Sequence, residues 1–229
     1  MLKIGHRGAR GYEPENTLSS FQKAIDLQVD AIELDVHLSS DGELMVIHDE
    51  TVDRTTNGKG EVNKFTKAEL QHFSIEGNNK IPTLVEVFDL VDRHCFINIE
   101  LKTFETAAKV VQLIEKYISE KNWEYSDFLV SSFNWDALEE IDFINPKIPT
   151  AVLTETDLDK ALAFAKIIQA KAINPDFQLL NLENVKKLQE NGFDVYPWTV
   201  NEASDIKRMQ SLNVNGIISD FPDRIYFKP

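Results

Sequence analysis

The stretch Ala31-Ile32-Glu33-Leu34-Asp35-Val36-His37 decides the fold. It alternates strictly, so in an extended strand Ile32, Leu34 and Val36 share one face and Glu33, Asp35 and His37 share the other. Two acids two residues apart on one strand face are separated by roughly 6.6 Å of backbone, close enough for one cation to gather both side chains. The competing reading of the strand alone is a solvated acidic face. A second stretch, Ile97-Asn98-Ile99-Glu100-Leu101-Lys102, alternates in the same way and places a third carboxylate and an ammonium on its polar face. If the two strands line one barrel, Glu33, Asp35 and Glu100 meet at its mouth. Three oxygen donors suit one hard divalent cation, Mg²⁺ or Ca²⁺. Zinc fits less well, because neither thiolate nor paired-histidine spacing accompanies them.

Outward from these strands the rhythm is regular. Strands are predicted at residues 2–6, 31–37, 96–101, 128–132, 150–153, 172–174, 193–200 and 216–219, with helical patterns between them and a short return strand at 44–47. Eight strands alternating with helices predict an α/β fold, a (β/α)₈ TIM barrel. A doubly wound open sheet is disfavoured by the absence of Gly-x-Gly-x-x-Gly after the first strand. Thr66 to Glu69 and Thr83 to Glu86 read as capping boxes, and Asn16 as the N-cap of the first helix. Residues from about 49 to 80 break the rhythm and read as a small insertion after strand two. The expected organisation is one domain over 1–229.

Composition bounds the function. The 229 residues, 42% hydrophobic, suffice for one sizeable core, and no run approaches a membrane span. The apolar run at the N-terminus is too short for a signal peptide, and Cys95 is the only cysteine, so the expected location is cytoplasmic. A net charge of −14 argues against nucleic acid or an anionic membrane as partner, and requires a locally positive site for any anionic substrate. Oligomeric state is not legible.

Barrel enzymes carry their chemistry at the C-terminal ends of strands. His6, Glu33, Asp35, Glu100, Lys102 and Trp198 fall at or near such ends, Arg7 follows His6, and His48 opens the insertion. Two histidines, three carboxylates and two cations suit hydrolysis of a phosphodiester, with the cations neutralising phosphate and the histidines moving protons. His37 reads as lying near the metal without a role of its own. The Asp53-Arg54-Thr55-Thr56-Asn57-Gly58 run reads as turn chemistry.

Taken together, His6-Arg7-Gly8, Pro14-Glu15-Asn16-Thr17, Glu33-Leu34-Asp35-Val36, Asp41-Gly42, His48-Asp49, the run from Asp53 to Gly58, Ile81-Pro82-Thr83-Leu84, Glu100-Leu101-Lys102, Ser131-Ser132-Phe133, Trp198-Thr199-Val200-Asn201 and Gly216-Ile217-Ile218-Ser219-Asp220 resemble the glycerophosphodiester phosphodiesterase family, bacterial type. The resemblance spans nearly the whole chain. It implies a barrel with a small insertion, one divalent cation, and cleavage of a small-molecule glycerophosphodiester to sn-glycerol 3-phosphate and an alcohol. By position it implies Glu33, Asp35 and Glu100 as metal ligands and His6 and His48 as the acid/base pair. Arg7 and Lys102 fall to the phosphate and Trp198 to the glycerol pocket. Pro197 departs from the usual pattern beside Trp198. The rival readings are a phospholipase C of the phosphatidylinositol-specific kind, a metal-dependent lyase or isomerase acting on a sugar phosphate, and an inactive barrel that only binds. The inactive barrel should have lost a ligand or a histidine, and none is missing.

Overall fold

The acidic strand is β2 (Ala31–Leu38), and it sits inside a parallel sheet between β1 (Leu2–Gly5) and β4 (Phe96–Leu101). The computed structural model describes residues 1–225. The parallel order continues from β4 through β5 (Phe128–Ser132), β6 (Thr150–Thr154) and β7 (Ala172–Pro175) to β8 (Asp194–Val195), while β1 pairs on its other side with β9 (Gly216–Ser219). Backbone hydrogen bonds from Asn215 to Val195, from Ile218 to Pro197 and from Val200 to Ile218 join the two edges, so the eight strands curl into a nearly closed barrel. A short β3 (Leu44–Val46) runs antiparallel to the end of β2.

The alternation in sequence is the alternation of faces. Ile32, Leu34 and Val36 of β2 and Ile97, Ile99 and Leu101 of β4 belong to the large outer core under the helices. Ile4, Ala31, Leu129, Ala151, Ala172, Tyr196 and Ile218 fill the lower part of the barrel. The inward positions above them on β2 and β4 are therefore Glu33, Asp35, Asn98 and Glu100.

Helices α1 (Leu18–Asp26), α3 (Leu84–Val91), α4 (Thr106–Lys121), α5 (Trp135–Ile144), α6 (Leu158–Ile167), α7 (Leu182–Glu190) and α8 (Ala203–Ser211) surround the strands. The short α2 (Lys67–His72) lies in the insertion, which closes over its own core of Met45, Ile47, Val52, Val62, Leu70, Ile75 and Ile81. Both predicted capping boxes form, at Thr66 with Glu69 and at Thr83 with Glu86. Such caps contribute about 1 kcal/mol each.

Two expectations need correction. The N-cap of α1 is Thr17, whose side chain accepts from the Ser20 amide; Asn16 lies one residue earlier in the left-handed region (φ 56) and faces the barrel. The strand expected at 193–200 is a ladder only over Asp194–Val195, because Pro175 at the end of β7 has no N–H to give to the strand beside it, and pairing resumes as a single bridge between Asp176 and Trp198.

Candidate active site

Strand register brings the three carboxylates together. Asp35 pairs across β2 and β4 with Glu100, and Glu33 with Asn98. Oxygens of Glu33, Asp35 and Glu100 lie within 4.8 Å of one another, and Glu33 and Asp35 are buried. Such a cluster is costly without a cation. Burial and the neighbouring Asp35 charge push the Glu100 carboxyl up to about 7. Burial, with Asp35 and Glu100 beside it, raises Glu33 well above the carboxylate range. Burial alone would raise Asp35 too, but Lys102 and Arg7 outweigh it and hold that carboxyl below its ordinary value. The Asp35 Oδ1 atom is buried without a hydrogen bond, although Lys102 Nζ lies 3.4 Å away. A hard divalent cation fits this donor set, since it would carry all three acids in their charged form.

The turn after β1 supplies the first cation. Arg7 has left-handed backbone (φ 51), and Gly8 follows at φ +84, where a side chain would collide with Ser20 of α1. This geometry lets the Arg7 amide donate to Glu33 Oε2 (2.8 Å) while its guanidinium donates to Glu15 Oε1 (2.7 Å) and lies 3.3 Å from Asp35. Asn16, in the same loop, donates from Nδ2 to Asp35 Oδ2 at 2.9 Å. The second cation, Lys102, donates to Glu100 Oε1 at 2.6 Å.

Each histidine has its own carboxylate. His6 Nδ1 donates to Asp220 Oδ1, and His48 Nδ1 donates to Asp49 Oδ1, both at 2.6 Å. With Nδ1–H engaged, Nε2 of the neutral ring is the free acceptor, and both rings line one cavity. Burial lowers the proton affinity of both rings, more than the Asp220 hydrogen bond restores for His6, and more than Asp35 and Asp49 restore for His48. Both are therefore neutral at neutral pH. His37 holds the loop in place, its Nε2 donating to the His48 carbonyl at 3.1 Å.

The cavity has a volume of about 200 Å³. His6, Arg7, Arg10, Glu33, His48, Glu100 and Lys102 form its charged side, and Phe133, Leu153 and Trp198 its apolar side. Trp198 is fixed by its indole N–H donating to the Asn174 carbonyl (2.8 Å) and by an edge contact with Phe133. All eight residues singled out in the sequence thus converge at one barrel mouth.

Several others were missed. Asp49 and Asp220 were visible only as neighbours of more conspicuous residues, and Arg10 only as a loop residue. Arg54, read as part of a turn, forks onto two acids: its Nε and Nη2 donate to Asp49 (2.6 and 2.9 Å), and its Nη1 and Nη2 donate to Glu15 (2.9 and 2.8 Å). Although burial works against it, Arg54 with Arg7 holds the Glu15 carboxyl at about 2. Asp49 is likewise held far below the carboxylate range, chiefly by Arg54. One guanidinium so links the carboxylate partner of His48 to the carboxylate partner of Arg7.

The chain is similar to known proteins over nearly its whole length. Glycerophosphodiester phosphodiesterases of Caldanaerobacter subterraneus and Bacillus altitudinis are 37% and 39% identical to the chain, each match covering 98% of it and 96% of the relative. The structure of an Oleispira antarctica phosphodiesterase in complex with the product sn-glycerol-3-phosphate superposes with a TM-score of 0.89, at 27% identity over 97% of this chain and 94% of that one. The model of the glycerophosphoryl diester phosphodiesterase family matches residues 6–224, and the chain belongs to that family.

Proposed function

We propose that this enzyme hydrolyses glycerophosphodiesters to sn-glycerol 3-phosphate and an alcohol with one divalent cation, Mg²⁺ or Ca²⁺, and with His6 and His48 as its acid/base pair. The observation that carries the reading is the convergence of a buried carboxylate triad, two cationic side chains and two carboxylate-backed histidines on one small cavity. Glu33, Asp35 and Glu100 would hold the cation, which when bound supplies Lewis-acid neutralisation of phosphate charge. Arg7 and Lys102 bind the phosphate oxygens and give this acidic protein its local positive site. Trp198 walls the side on which the glycerol half rests. The product held by the Oleispira relative supports glycerol 3-phosphate as the retained half. The whole chain acts as one domain, the insertion contributing His48's surroundings. Cys95 is buried and suits a reducing cytoplasm.

The test is product formation under metal control. Chelated protein should release no glycerol 3-phosphate from glycerophosphocholine, and Mg²⁺ or Ca²⁺ should restore release. Full activity in chelator would refute metal dependence. Stability offers a second readout, with a definite sign. The unfolded-state value for glutamate is near 4.3, and folding raises Glu100 to about 7. Its contribution to stability is present below the unfolded value and is lost as pH rises through about 7. Glu33 shifts in the same direction. The Tm gain on adding the cation should therefore be larger at pH 8 than at pH 5.5. An equal gain at both would remove the triad from metal binding.

Lys102 competes with a cation for Glu100 and Asp35. Lys102→Met should tighten divalent-ion binding while lowering kcat/KM by about 10² to 10³, because the lost charge serves the transition state. Weaker metal binding, or unchanged turnover, would contradict that placement.

The Arg54 fork gives a further expectation. Arg54→Gln should lower kcat/KM by about tenfold or more, as loss of an orienting contact commonly does. Arg54→Lys should recover only part of it, since an ammonium cannot fork to two carboxylates. The effect should shrink in an Asp49→Asn background, where the link to His48 is already weakened. Full additivity of the two changes would show that Arg54 does not act through Asp49.

A further inference from the structure

The two most exposed large apolar side chains among the described residues lie on neighbouring helices. Phe143 is 84% exposed in the last turn of α5, and Ile167 is 71% exposed in the last turn of α6. These helices follow β5 and β6, which pair in parallel, so they run side by side in one direction. Each begins at the barrel mouth and ends at the opposite rim, away from the active-site cavity. Single exposed apolar residues are ordinary on a protein surface; an adjoining pair makes a patch.

Helical spacing sets the pair on two matching ridges. Asp136, Glu139 and Phe143 stand at i, i+3 and i+7 on α5, and Lys160, Ala163 and Ile167 stand at the same intervals on α6. All six are exposed, because Ala137, Leu138 and Ile141 of α5 and Ala161, Leu162 and Ala165 of α6 take the buried faces. Between the ridges the partly buried rings of Trp135 and Phe164 stack with centroids 5.1 Å apart, which carries apolar surface across the gap. The ridges differ in sign. No acid of α5 makes an ion pair among the described residues. On α6 the exposed Asp159 turns to Lys187 of α7 at 2.7 Å, while Lys160 stays on the outer ridge, 3.5 Å from Asp157.

We propose that this face joins two copies of the chain about a two-fold axis running along the groove between α5 and α6. Rotation about that axis lays α5 of one copy against α6 of the other, last turn to last turn. Phe143 then meets Ile167, and Asp136 and Glu139 meet Lys160, each contact occurring twice as isologous symmetry requires. A two-fold across the helices would instead set α5 on α5 and bring acid against acid, which disfavours it. The charge of −14 adds weight to this choice, since two copies repel overall and associate only through a face that aligns opposite signs. Helices of ten residues are about 15 Å long, so the contact is small and the dimer exchanges, with a Kd in the micromolar range.

Sedimentation velocity of the whole chain at low salt, from about 1 to 500 µM, should show the mass rising from monomer to dimer. Phe143→Glu should weaken association by about tenfold or more, with circular dichroism and kcat/KM unchanged because the side chain is exposed and remote from the cavity. Lys160→Glu should weaken association too, and adding Glu139→Lys to it should restore the dimer by pairing the ridges again with signs exchanged. A chain that stays monomeric over the whole range would overturn the proposal, as would a dimer that Phe143→Glu leaves intact. Failure of the exchanged pair to restore association would overturn the α5-on-α6 arrangement. A monomer that pellets with phosphatidylglycerol vesicles, and ceases to in Phe143→Glu, would give the patch to a lipid surface and likewise overturn it.

Discussion

Glu100→Gln is expected to lower kcat/KM by on the order of 10³ while raising the Tm of the metal-free protein at pH 8. The two effects share one cause. Three carboxylates with oxygens within 4.8 Å of one another repel, and Glu100 responds with a carboxyl pushed up to about 7. Above that pH the metal-free wild type holds a buried, like-charged cluster that Lys102 and Arg7 only partly neutralise. Gln keeps the volume and can still accept from Lys102 Nζ, so the packing of β4 against β2 and β5 survives. What disappears is one negative charge, which destabilises the metal-free site and is indispensable to the loaded one. Stability gained with activity lost is the signature of a residue kept for function. Thermal melts with and without Mg²⁺ or Ca²⁺, run beside the kinetic assay, read both halves. A variant whose melting temperature still rises with metal as wild type's does would exclude Glu100 as a ligand.

How far this site was legible in the sequence depended on the range of the forces involved. The polar face of β2 was plain, because a period of two places alternate residues on opposite faces wherever one face is buried. The same logic gave β4 its boundaries, and the capping boxes were legible because they close within four residues. Asn16 was misread for the complementary reason. Its local chemistry favours a cap, but its strongest partner, Asp35, is 19 residues away. The β8 strand fell short because one proline interrupts the ladder, although the apolar pattern runs on. Asp220 meets His6 across 214 residues, and Arg54 meets Glu15 across 39. No spacing rule announces such contacts; only barrel closure and the folding of the insertion over its own core create them. Asn98 and Ser131, which line the cavity, were hidden differently. Polar residues on an inward strand face look like any solvated face until the barrel shuts around them.

Replacing either histidine by alanine should cost about 10³ in kcat/KM on glycerophosphocholine, but the two losses should diverge when the leaving group changes. An alkoxide is a poor leaving group and needs a proton as the P–O bond breaks; nitrophenolate needs none. On a nitrophenyl diester of glycerol phosphate, the variant lacking the acid should recover most of its activity, and the variant lacking the base should not. The geometry extends the test to the carboxylates. His6 gives its Nδ1–H to Asp220 and His48 gives its own to Asp49, which leaves each Nε2 free in the cavity. An Asp→Asn change removes the acceptor that fixes this tautomer and the negative charge that favours the imidazolium. Asp220→Asn should therefore reproduce the substrate pattern of His6→Ala, and Asp49→Asn that of His48→Ala, each with a smaller loss of about 10 to 10². Burial lowers the proton affinity of both rings, so the base of the free enzyme takes up its proton below the ordinary imidazole range, and kcat/KM should fall there. In the Asp→Asn variant of the base partner that acidic limb should move to lower pH, because the ring has lost its anionic neighbour. The opposite movement, or equal losses on both substrates for both histidines, would end the division of labour between His6 and His48 while leaving the carboxylate triad untouched.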